Sequence, residues 1–263
     1  MIDKPRLGGG VCQCWPPSAD HPLPPPCKAR VSRIPEIIAH RGAPREALEN
    51  TLAAFEIALD QNADGVELDV HATMDGTVVV HHDADVPWPV ASSTTRRPIA
   101  DIDAKRALAY ALRDNAHMPT LDAVLDLIGE RSVVYIEVKA TGIERPLLAV
   151  LNRHPKARVA VHSFDHRVPV AVRAARPSTR IGLLSASYPI SLDRFIGAAK
   201  PDAFWQQANL IDQALVEATH ALGARLIAWT VNDAQHAHAL IAMGVDALCT
   251  DTPALLRAAL LAP

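Results

Sequence analysis

Residues 65–71 read GVELDVH and residues 133–139 read VVYIEVK, two apolar runs that each carry charged residues two apart toward the C-terminal end. Runs this continuous suit strands covered on both faces, whereas a half-exposed antiparallel sheet alternates more cleanly. Working outward, short runs of the same kind recur at 37–40, 78–82, 159–164, 181–184, 203–205, 226–231 and 247–250. Between them lie segments with apolar residues at i, i+3 or i+4 spacing, at 51–61, 121–129, 144–153, 166–175, 192–199, 213–222, 234–243 and 254–261. Alternating strands and helices of this length point to βα units and a parallel sheet. Counting 65–70 and 78–82 separately gives eight or nine strands, which favours a closed TIM (β/α)8 barrel over an open doubly wound sheet. The stretch 84–119 departs from the pattern. It is polar, holds Pro87, Pro89, Pro98 and the run SSTTRR, and reads as a loop insertion near the barrel mouth, after the strand ending at His82.

The chain is 263 residues long, which suits one barrel of about 250 residues. Apolar residues make up 49% and charged residues 21%, enough to fill a large core. Residues 1–33 have no strand or helix period and carry six prolines between positions 16 and 26, so they read as an irregular extension preceding a barrel at 34–263. The formal charge is −3 and no basic block stands out, which argues against a nucleic-acid partner. No apolar run approaches the roughly 20 residues that span a bilayer, and the opening MIDKPRLGGGVCQCW lacks a signal-peptide core, so a cytoplasmic protein is expected. Cys12, Cys14, Cys27 and Cys249 make neither a disulfide framework nor a zinc knuckle and are read as free thiols. A homodimer is neither indicated nor excluded by a single chain.

In a TIM barrel the chemistry sits at the C-terminal ends of the strands. Those ends carry His40 and Arg41; Glu67, Asp69 and His71; His81, His82 and Asp83; and Glu137 with Lys139. Residues two apart on a strand share a face, so Glu67 pairs with Asp69 and Glu137 with Lys139 on the barrel interior. Three buried like charges repel and are costly to desolvate, so Glu67, Asp69 and Glu137 together call for a cation, and oxygen donors suit Mg2+ or Ca2+ better than zinc. A plain ion network with Arg41 and Lys139 is the structural alternative. Any one of the 12 histidines taken singly is more simply a hydrogen-bonded core or surface residue. His40 and His82 stand out because they end neighbouring runs beside the acids, where they can give and take protons near neutral pH. His71, His81, His162 and His166 also lie near strand ends but have no equally clear role.

Read in order, HRG at 40–42, ENT at 49–51, ELD at 67–69, HD at 82–83, EVK at 137–139, SFD at 163–165, WTVND at 229–233 and TDTP at 250–253 resemble the glycerophosphodiester phosphodiesterase family. No single triplet is specific; eight in the same order at barrel spacing are. The resemblance implies a TIM barrel that hydrolyses glycerophosphodiesters to glycerol 3-phosphate and an alcohol with a divalent cation, in glycerol and lipid metabolism. It implies Glu67, Asp69 and Glu137 as metal ligands, His40 and His82 as the acid/base pair, and Arg41 and Lys139 near the phosphate. Glu49 is expected to hold substrate or support the metal, and Phe164 and Trp229 to line the pocket. Asn232 and Asp251 are expected to close loops or cap helices. The family's RTT-like element after His82 is replaced here by SSTTRR, which leaves the headgroup open.

Two other readings compete. One is a phosphatidylinositol- or sphingomyelin-type lipid phosphodiesterase with the same two-histidine logic. Such an enzyme needs an apolar rim, for which the insertion offers only Trp88. The other is a barrel that binds a phosphate ligand without cleaving it, although every expected catalytic position is filled.

Overall fold

The apolar runs form strands in the computed structural model, which describes residues 35–90 and 93–261. The expected extension at 1–33, with Cys12, Cys14 and Cys27, lies outside the described residues. In chain order the first half comprises β1 (Glu36–His40), α1 (Leu52–Asp60), β2 (Gly65–Ala72), β3 (Val78–Val80), β4 (Asp85–Val90), β5 (Ser93–Pro98), α2 (Ala104–Ala109) and α3 (Leu121–Ile128). The second half is regular. It runs β6 (Val133–Val138), α4 (Glu144–Arg153), β7 (Arg158–Ser163), α5 (Arg167–Ala175), β8 (Arg180–Ser185), α6 (Leu192–Ile196), β9 (Ala203–Gln207), α7 (Gln213–Ala221), β10 (Arg225–Trp229), α8 (Ala234–Met243), β11 (Ala247–Thr250) and α9 (Pro253–Leu261).

Eight parallel strands, in the order β1-β2-β6-β7-β8-β9-β10-β11, close when β11 pairs with β1. The expected TIM barrel is therefore present. Period-two alternation divides each strand between two cores. Outward residues such as Val66, Leu68, Val134 and Ile136 pack with Phe55 of α1, Leu121 and Leu125 of α3 and Leu147 of α4. Inward residues Ile38, Tyr135, Leu184, Trp205, Ile227 and Cys249 fill the barrel. Thr51, Asp103, Thr120, Asp212 and Asp233 start five helices by accepting from a backbone N–H three residues on, each cap being worth about 1 kcal/mol.

The barrel floor is polar. Glu36 of β1 accepts from the Tyr135 hydroxyl at 2.7 Å and from Arg225 Nη2 at 2.5 Å, joining β1, β6 and β10. Burial and the Glu36 carboxylate push the Tyr135 phenol well above its ordinary value.

Two expectations need correction at the insertion. The run at 78–82 is not a barrel stave: only Val78–Val80 is strand, and it pairs antiparallel with β2 through Val70↔Val80. His81 and His82 follow it in the loop. The stretch 84–119 is not a polar loop either. It forms the antiparallel β4–β5 ribbon and α2, gathered on a small core of Val79, Val86, Ile99, Ile102, Ala107 and Met118, with Trp88, Leu108, Tyr110 and Leu112 packed against it. The apolar residues of that core come singly from separate short elements, so no window of sequence displays a period. Among the described residues no helix is long and apolar enough to cross a membrane.

Candidate active site

Strand register builds the site. His40 stands level with Glu67 across β1 and β2, Asp69 with Glu137 across β2 and β6, and Glu137 with His162 across β6 and β7. All these residues point inward, above the apolar layer of Ile38, Trp205 and Ile227. The HRG turn brings the first of them into place. Arg41 and Gly42 both have positive φ, and a Cβ on Gly42 would stand 2.7 Å from the Ala54 backbone of α1, so only glycine fits under that helix.

The three residues of ENT have separate tasks. Glu49 accepts from Arg41 Nη1 at 2.9 Å. Asn50, buried, donates to Asp69 Oδ2 at 2.9 Å and accepts from the Asp69 backbone N–H at 3.2 Å. Thr51 caps α1.

The carboxylates are unequally satisfied. Asp69 faces Arg41 Nε at 3.0 Å and Lys139 Nζ at 3.4 Å. Burial would raise its pKa, but those two cations and Asn50 outweigh burial and hold the carboxyl below its usual range. Glu67 accepts from the Arg41 backbone N–H at 3.2 Å, while burial, together with Asp69 and Glu137, pushes its pKa well up. Glu137 pairs with Lys139 at 2.9 Å, yet burial and Asp69 raise it too. Glu67 Oε1 and Asp69 Oδ1 are buried without a hydrogen-bond partner. Glu67, Glu137 and His162 each place a donor atom within 4.8 Å of the others. His162 is no counter-ion to Glu67, 3.9 Å away, because burial depresses the imidazole to about 3 and keeps it neutral.

Each candidate acid/base histidine is held at Nδ1 by an aspartate. His40 Nδ1 lies 2.7 Å from Asp251 Oδ1, and Asp251 Oδ2 accepts from Asn232 Nδ2 at 2.7 Å. Burial opposes the Asp251 charge, but the bonds to His40 and Asn232 prevail and lower its pKa. His82 Nδ1 lies 2.9 Å from Asp83 Oδ1, and Asp83 Oδ2 accepts from Arg96 of β5 at 2.9 Å. Arg96 also pairs with Asp85. His71 donates from Nε2 to the His82 carbonyl at 3.2 Å, and its pKa is lowered by burial.

Phe164 and Trp229 meet edge to face, with centroids 5.5 Å apart. A cavity of about 250 Å³ beside Phe164 is lined also by Glu137, Lys139, Thr141, Ser163 and Asp165. Trp88 of the insertion lies under Arg97, 5.2 Å from its guanidinium carbon.

His40, Arg41, Glu67, Asp69, Glu137 and Lys139 thus form one contact network, with Glu49 attached through Arg41. Four further residues belong to it. Asn50 stands inside a motif already quoted; Asn232 and Asp251, expected to close loops or cap helices, hold His40; and His162, seen only as a strand-end histidine, faces Glu67. No local pattern shows these contacts, because the partners lie 19 to 211 residues away.

The profile described as the glycerophosphoryl diester phosphodiesterase family matches residues 40–255. A glycerophosphodiester phosphodiesterase of Caldanaerobacter subterraneus subsp. tengcongensis is 34% identical, over 82% of this chain and 94% of its own length. An Oleispira antarctica phosphodiesterase, solved with the product sn-glycerol-3-phosphate, has the same fold with a TM-score of 0.78 at 24% identity, over 87% of this chain and 97% of its own. The Thermotoga maritima glycerophosphodiester phosphodiesterase aligns with a TM-score of 0.73 at 24% identity, over 86% of this chain and 98% of its own. With its motifs in order on a closed barrel and the profile matched over most of its length, the chain belongs to the glycerophosphoryl diester phosphodiesterase family.

Proposed function

We propose that the chain hydrolyses glycerophosphodiesters to glycerol 3-phosphate and an alcohol, using His40 and His82 as general acid and base beside a divalent cation held by Glu67, Asp69 and Glu137. The observation that carries this reading is an aspartate-held His40 standing 4.0 Å from buried Glu67, whose Oε1 has no hydrogen-bond partner, with His82 held in the same way by Asp83. That unpartnered oxygen fits a cation. So does the balance of charge: Glu49, Glu67, Asp69 and Glu137 outnumber Arg41 and Lys139. On the oxygen donors alone the ion is Mg2+ or Ca2+. When bound it supplies charge stabilisation to the nonbridging phosphate oxygens.

The chain's own groups do the rest. Arg41 and Lys139 line the site where phosphate oxygens gain charge. An aspartate at Nδ1 fixes each imidazole so that Nε2 exchanges protons. In the resemblance-based scheme one histidine removes the proton of the substrate's neighbouring hydroxyl as that oxygen bonds to phosphorus. The other protonates the departing alkoxide. Water then opens the cyclic phosphate with the roles reversed. Glu49 steadies Arg41, and Phe164 with Trp229 forms an apolar wall for the substrate.

Steady-state assays of glycerophosphocholine cleavage by His40→Ala and His82→Ala test the scheme. Each substitution is expected to lower kcat by about 10²- to 10⁴-fold. A diester lacking the neighbouring hydroxyl is expected to be inert, and rapid turnover of it contradicts the cyclic route. Exposed Phe164, Tyr188 and Ile190, on the loops after β7 and β8, are the observation that favours the lipid-cleaving alternative. Cleavage of bilayer lipid with none of soluble diesters would establish it instead.

A further inference from the structure

His162 takes no part in the proton transfers above, yet its ring is 1% exposed and Nδ1 has no hydrogen-bond partner. A core histidine ordinarily satisfies its buried nitrogens. Its Nε2 faces Glu67 Oε1 at 3.9 Å, beyond hydrogen-bond reach, and that oxygen is itself buried and unpartnered. One atom each from Glu67, Glu137 and His162 lies within 4.8 Å of the other two. The ring is also held in this orientation. It stacks on Trp205 with centroids 4.3 Å apart and planes 7° from parallel. Gly182 makes the stack possible, since a Cβ there would stand 2.7 Å from the indole and 3.1 Å from the His162 Cβ.

An imidazole held by its stack on Trp205, with Nε2 facing the unpartnered Glu67 Oε1 and Glu137 close by, is placed as a nitrogen donor to a metal. Building on the proposed cation site, we infer that His162 is a ligand alongside Glu67 and Glu137. An imidazole donor among the carboxylates raises the affinity of the site for first-row transition ions, of which Mn2+ is the EPR-active probe, relative to Ca2+, which takes oxygen.

Calorimetric titration of Mn2+ and Ca2+ into the full chain, as wild type, His162→Gln and Glu67→Gln, tests this together with pulsed EPR of the Mn2+-loaded wild type. The EPR spectrum is expected to carry hyperfine coupling to a directly bound nitrogen. Mn2+ is expected to bind more tightly than Ca2+, and His162→Gln to weaken Mn2+ by about tenfold or more while moving Ca2+ by less than about twofold. A wild-type spectrum without nitrogen coupling overturns the inference, and needs no variant to fold. Unchanged Mn2+ affinity in His162→Gln overturns it as well. If Glu67→Gln still loses both ions, the carboxylate cation site survives that failure. Failure of the wild type to bind either ion removes both.

Discussion

The two histidines are held by unequal means. His40 leans on Asp251, which is anchored by Asn232 and by a backbone bond from its own N–H to Asn232 Oδ1 at 2.8 Å. His82 leans on Asp83, tied to Arg96 on the β4–β5 ribbon, and this arm is largely exposed. Exposed ion pairs contribute little to stability, so the second arm orients rather than stabilises. The Asp251 carboxylate selects the His40 tautomer with the proton on Nδ1; an amide in its place presents a donor to the same nitrogen and favours the opposite tautomer. Asp251→Asn is accordingly expected to lower kcat by about 10²-fold or more with KM and thermal midpoint little changed. Steady-state kinetics beside thermal unfolding checks this. A large loss of stability with kcat retained would reduce Asp251 to a loop-closing residue.

At the scale of elements, the barrel was legible because each strand is a continuous apolar run bounded by helical periods. The inward face of β2 and β6 was legible too, since Glu67, Asp69, Glu137 and Lys139 follow period two within their own segments. The insertion was not, for its core is assembled from Val86, Ile99, Ile102, Ala107 and Met118 on separate pieces. The floor contact was equally hidden, because Glu36, Tyr135 and Arg225 lie on three strands far apart in the chain. That contact sets an alkaline limit. The folded phenol of Tyr135 is raised by burial and by Glu36, so its contribution is fully present below the unfolded value near 10 and is lost as pH rises toward the folded one. Tyr135→Phe is expected to cost about 1–2 kcal/mol at pH 7. The gap between variant and wild type is expected to narrow above about pH 10. Denaturant midpoints on both sides of that pH check it, and a constant gap contradicts the phenol's role.

For the molecule as a whole, charge and topology act together. The barrel brings β1, β2, β6, β7 and β11 around one mouth, so residues from His40 to Asp251 meet across the full length of the family match. Order and spacing of the motifs made the reaction class readable before any geometry. The supporting partners Asn50, Asn232, Asp251 and His162 became visible only once the strands were in register. The most direct test of the central claim is phosphorus NMR of glycerophosphocholine incubated with the full chain after EDTA dialysis, with and without added divalent cation. Conversion to glycerol 3-phosphate is expected only when the cation is restored. Phosphocholine as product, turnover that survives EDTA, or no release from glycerophosphocholine and glycerophosphoethanolamine alike with every cation would contradict metal-dependent hydrolysis.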